Sequence, residues 1–130
     1  MDLISRVEAK LAKYPEVRYT ATPSSIRIEA LDGSGFEVSL EVRPGVFVVH
    51  FDGWHEEFTS ADDALNCLAF GLSDSCRLAV TYRGAMPTKW VLESRQGENW
   101  SPNSETGLLI FPFWRRSRVV YKRNHVLRTT

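Results

Sequence analysis

The stretch FEVSLEVRPGVFVVHFDGWHEEF, Phe36 to Phe58, decides the fold class. Phe36, Val38, Leu40 and Val42 alternate with Glu37, Ser39, Glu41 and Arg43, the period of two that marks a strand with one buried face. Pro44-Gly45 breaks that run, and a second run from Val46 to Phe51 ends at Asp52-Gly53. This dipeptide can supply the two positive φ values of a type I′ turn, so Trp54 to Phe58 returns as a third antiparallel strand. A two-residue loop sets the register: Phe51 opposite Trp54, Val49 opposite Glu56 and Phe47 opposite Phe58 on one face. His50 opposite His55 and Val48 opposite Glu57 occupy the other, so the two histidines become cross-strand neighbours.

Working outward, Asp2 caps a short N-terminal helix whose apolar positions are Ile4, Val7 and Leu11, and Tyr14-Pro15 ends it. Val17, Tyr19 and Ala21, then Ile26, Ile28 and Ala30, alternate around Thr22 to Ser25 and predict a hairpin. That hairpin feeds through Asp32-Gly33-Ser34-Gly35 into the central strands, making a five-stranded meander. Beyond it, Thr59 and Ser60 with Asp62 and Asp63 resemble capping boxes. They open a helix with an apolar stripe of Ala61, Ala64, Leu65, Leu68, Ala69 and Leu72, and Gly71 suits a left-handed C-terminal cap. Cys76 to Arg83 alternates again, and Lys89 to Glu93 is the returning strand. Arg95 to Gly107 is polar and aperiodic and is expected to form a long, mobile surface loop. Leu108 to Trp114, at an edge or a bulge because of Pro112, and Arg118 to Arg123 would complete the sheet.

The predicted class is α+β: one extended antiparallel sheet of about eight to nine strands in meander topology, with two helices on one face, in the order helix, five strands, helix, four strands. Laying Gly35–His50 over Gly107–Lys122 matches three residues in sixteen and raises a pseudo-symmetric arrangement of the halves.

At 130 residues the chain fits one domain able to bury roughly two-thirds of its unfolded surface. Formal net charge is zero, but residues 1–65 carry 6 cations against 12 anions, and residues 66–130 carry 10 against 4. Pairing of the acidic meander with the basic C-terminal strands is the plain explanation. Asp2, Arg6 and Glu8 occupy the place of a signal-peptide apolar core, and the longest uncharged run, Ala64 to Ser73, is far below the ~18 residues that span a bilayer. No membrane partner is expected, and a cytoplasmic location is. Cys67 and Cys76 have neither disulfide-framework nor zinc-knuckle spacing and are expected to be small core hydrophobes.

Chemistry-bearing residues are few. No nucleophile elbow, phosphate loop or HExxH occurs, so no enzyme and no cofactor is implied. His50 and His55, with Asp52, Glu56 and Glu57 near, could bind a small ligand or a metal but lack a convincing third ligand. A site could form where Trp54, His50 and His55 meet the 95–107 segment. The C-terminal run interleaves aromatics with Arg115, Arg116, Arg118, Lys122 and Arg123 and contains no acid, which suits nucleic acid. In the structural alternative Trp114, Val119 and Tyr121 pack inward, while Arg118 and Lys122 face solvent or Glu37 and Glu41. With no catalytic signature, a protein-interaction module with a protein partner, or a homodimer, is the leading expectation, ahead of nucleic-acid binding.

Overall fold

The computed structural model describes residues 2–108 and 115–127. Helix α1 (Leu3–Leu11) is followed by strands β1 (Tyr19–Thr22), β2 (Ser25–Ile28), β3 (Val38–Arg43), β4 (Val46–Phe51) and β5 (Trp54–Phe58). Helix α2 (Ala61–Leu72) precedes β6 (Cys76–Arg83), β7 (Met86–Gln96), β8 (Asn99–Gly107) and β9 (Ser117–Lys122). Class and element order match the expectation. The nine strands divide, however, into a five-stranded meander, β1-β2-β3-β4-β5, and a four-stranded sheet ordered β8-β7-β6-β9.

Local chemistry explains the helix ends. Asp2 accepts the Ser5 N–H at 2.8 Å, which holds the Asp2 carboxyl below its usual range, and Ser60 accepts the Asp63 N–H at 3.3 Å. Four residues of α1, Leu3, Ile4, Val7 and Leu11, are buried, and α2 buries Ala64, Leu68 and Leu72. Gly71 is not a left-handed cap. It lies inside α2 without a positive φ, and α2 ends instead at Ser73 in extended geometry. A Cβ at Gly71 would collide with the Phe51 ring, so glycine is there to let β4 approach the helix.

The inner face of the meander (Ile26, Ile28, Val38, Leu40, Val49 and Phe51) is fully buried, and Trp54 is 1 % exposed. The β4–β5 register is the one the Asp-Gly turn dictates, with His50 opposite His55 and Phe51 opposite Trp54. Only Asp52 of the turn pair takes a positive φ, 57°. Gly53 is required for a different reason: the Trp90 ring of β7 packs where its Cβ would be.

The inner face of the second sheet (Leu78, Val80, Trp90 and Leu92) belongs to the same buried cluster as the meander. Two indoles fasten the sheets together: Trp54 Nε1 donates to Ser104 Oγ at 3.2 Å, and Trp90 Nε1 donates to Asp52 Oδ2 at 2.9 Å. Buried Asn124 clasps the C-terminal segment to the rest. Its amide accepts the Phe36 N–H at 3.0 Å and donates to Phe36 O at 3.1 Å and Gly71 O at 2.9 Å.

Two further expectations change, and a third falls outside the described residues. The 95–107 segment is not a loop: it is the end of β7, a two-residue turn in which Gly97 has φ 64°, and β8. The strand expected over 108–114 falls outside the described residues except for Leu108, which is in no strand. Finally, β9 returns to pair with β6 rather than with its sequence neighbour β8, so the second half is not a meander and the halves are not topological repeats.

Candidate interaction surface

The outer face of the second sheet carries Arg77, Ala79 and Thr81 from β6, with Val91 and Glu93 of β7 on one side and Val119 and Tyr121 of β9 on the other. Its β9 side is open to solvent, and α2 packs chiefly on β3 and β4 of the other sheet, touching β5 and β6 less. Val119 is 49 % exposed and Tyr121 55 %, so the inward packing expected for both is corrected. The reason is parity. Val120, paired with Val80, takes the inward position, and its neighbours on either side must face out.

The cations of this half are largely engaged within the molecule. The Arg77 guanidinium lies 4.6 Å from the Trp100 ring centroid and 4.2 Å from that of Tyr121, and it is ion-paired with Glu93. Arg123 lies 5.2 Å from the Trp100 ring and donates to Asp74 O at 2.7 Å. Lys89 pairs with Glu105 at 3.1 Å. Arg118 covers the Tyr82 ring at 4.6 Å, and Lys122 approaches Asp52 Oδ2 at 3.7 Å rather than Glu37 or Glu41. Arg115 and Arg116 are exposed, and their carbonyls tie the start of β9 to the β6–β7 turn by accepting from Arg83 and from the Gly84 N–H. Ion pairs form mainly inside each sheet, as in Arg27–Glu37 and Arg43–Glu41, with Lys122–Asp52 and His125–Asp32 reaching between the halves.

Trp54 and the histidines lie on opposite faces of the same hairpin. Trp54 stacks on Phe51 with centroids 4.8 Å apart and reaches β8 through Ser104. His50 and His55 sit on the solvent face with ring centroids 5.7 Å apart and planes at 35°. His50 borders an open concavity with Glu37, Ser39 and Asp52. Partial burial holds its imidazole below the usual histidine range, the facing His55 adds to this, Glu41 opposes it, and Arg43 reinforces it. Among the described residues no group of three or more His, Cys, Asp or Glu side chains is placed to hold a metal ion. Cys67 and Cys76 are free thiols, and burial pushes Cys67 up to about 12 and Cys76 further still. At neutral pH neither supplies a thiolate.

Residues that the sequence did not single out are Arg77 and Trp100, which with Tyr121 form the cation–aromatic tier. The available signal was Trp100 standing alone in a polar segment, since an isolated tryptophan there needs a partner for its ring. Among the described residues no helix is long and apolar enough to cross a membrane. The chain matches no protein-family model, no curated protein and no solved structure, so side-chain geometry carries the functional argument.

Proposed function

We propose that the chain is a non-catalytic protein-interaction module that takes up an extended, acidic partner segment along β9. The observation that carries this reading is the contrast between β9 and the other sheet edges. β1 has four residues, β5 ends the meander with exposed Glu56 and Glu57, and β8 is interrupted by Pro102 beside a register shift. Each of these is a recognised way of blunting an edge. β9 is six residues long and free of proline, and its charges are all basic: among the described residues it pairs only with β6, exposes Val119 and Tyr121, and lies in the acid-free run from Arg115 to Arg123.

Backbone pairing would supply the affinity of such a complex, and the alternating apolar and basic side chains its selectivity for an apolar–acidic segment. Two copies joined edge to edge would bring Arg115, Arg116, Lys122 and Arg123 of each strand against their counterparts, which disfavours self-pairing at low salt. Nucleic acid is the weaker reading, because the Trp100 and Tyr121 rings that would stack on bases already carry Arg77 and Arg123.

The test is fluorescence anisotropy with a labelled synthetic peptide of alternating Val and Glu, its Val/Lys counterpart and a mixed-sequence single-stranded oligonucleotide. Light scattering at low and high salt runs alongside. Saturable binding of the Val/Glu peptide alone, lost in V119K/Y121K with no change in melting temperature, is expected. A dimer that strengthens as salt rises would replace the hetero-partner by a second copy. Oligonucleotide binding without peptide binding would overturn the proposal.

A further inference from the structure

We propose that the groove between α1 and α2 binds an aliphatic carboxylate, with the chain between the helices and the head group at Lys10 and Lys13. The site is remote from β9 and independent of the reading above. Val7 and Leu11 of α1 and Leu65, Leu68, Ala69 and Leu72 of α2, with Val126 and Leu127, line an open groove of about 300 Å³.

Close-packed interiors leave few voids larger than a water molecule, whereas ligand sites begin at about 300 Å³. Val7, Leu11, Leu68 and Leu72 are buried and form the floor. Leu65, Tyr14 and Leu127 are half-buried walls, and the small Ala69 leaves one side open. This depth suits a single aliphatic chain.

The charge at the mouth selects the head group. Lys10 and Lys13 are both exposed and are the charged residues of the lining, which contains no acid. Neither takes part in an ion pair among the described residues: the nearby acids Glu8 and Asp62 are turned to Tyr19 and Arg6. Lys10 also lies in the last turn of α1, where a cation suits the helix dipole, but Lys13 lies beyond the helix and has no such role. Long lysine stems can run along an apolar wall while the ammonium reaches a carboxylate at its rim.

The full-length chain should be titrated calorimetrically with decanoate below its micelle concentration and, separately, with decyltrimethylammonium. Two variants are compared: K10E/K13E, which reverses the rim, and A69F, which fills the groove from an exposed position. Decanoate should bind once per chain, at least tenfold more weakly in K10E/K13E and not at all in A69F, with melting temperatures of the free proteins unchanged. Failure of decanoate to bind would overturn the proposal. Equal affinity for the cationic amphiphile, or unchanged affinity in K10E/K13E, would reduce the groove to an unselective apolar cleft and overturn the carboxylate assignment. Decanoate binding retained in A69F would place the ligand elsewhere.

Discussion

The hairpins β4–β5 and β7–β8 both turn through two residues, Asp52-Gly53 and Gly97-Glu98, yet they are held by different forces. In β4–β5 the paired side chains Phe51, Trp54, Val49 and Phe47 are apolar or packed on the core, and burial supplies the stability. In β8 the residues facing inward include Ser104 and Thr106, paired with Leu92 and Trp90, and the outward ones include Trp100. That strand is kept in place by a bond from buried Trp54 and by the Arg77 and Arg123 guanidiniums on Trp100. A strand without hydrophobic alternation can persist when other elements provide specific polar anchors for it.

The two tryptophans test this difference most directly. Trp54→Ala should cost about 3–5 kcal/mol in chemical denaturation, since a fully buried indole leaves a cavity. Trp100→Ala should cost about 1 kcal/mol, the scale of exposed cation–π contacts. Equal losses would mean that both hairpins are held by burial and that the contrast is false. Loss of the proposed β9 binding in Trp54→Ala at an unchanged melting temperature would make Trp54 a contact residue rather than a core one.

Asn124→Ala should come next, at about 3 kcal/mol, because it strands the Phe36 N–H and the Phe36 and Gly71 carbonyls in a buried position. Amide exchange read residue by residue would sharpen the comparison. Protection at Phe36 should fall with little change at the β7–β8 turn, whereas loss at both would show that the clasp couples the sheets.

Gly71→Ala probes the close approach of helix and meander. Alanine in an unobstructed helical position would stabilise by about 1 kcal/mol. Here Phe51 must yield, so a net destabilisation of about 1–3 kcal/mol is expected from the melting curve. A stabilised variant would show that β4 and α2 are not packed as described.

What the sequence reveals follows from the same distinction. Alternating apolar residues and an Asp-Gly turn are local signals, so β4, β5 and the His50–His55 pair are legible to the residue, while β3 is legible except at its start, expected at Phe36 and found at Val38. Nothing local marks β8, whose partners are polar, or places β9 beside β6 across a separation in sequence from Arg83 to Ser117. Gly71 and Gly53 illustrate the limit. Helix-end and turn rules give each a conformational role, while distant aromatic rings set the actual requirement. The candidate surface was half legible for the same reason. The basic and aromatic residues could be counted, but Arg118 on Tyr82 and Lys122 on Asp52 are consequences of tertiary placement.

The smallest expected effect belongs to the histidine pair on the polar face of the meander. His50 lies below the usual imidazole range in the folded chain, so the unfolded chain takes up its proton first as pH falls. Stability from this source is full above the ordinary histidine pKa of about 6.5, declines as pH drops through it, and levels off below the lowered folded value. Glu41 and Arg43 face the same ring with opposing effects, and His50 is only partly buried, so the change should be a small slope in melting temperature. His50→Gln should flatten that slope between neutral and mildly acidic pH, and His55→Gln should reduce it by removing the facing charge. A slope that survives both substitutions would assign the acid sensitivity to groups outside this hairpin.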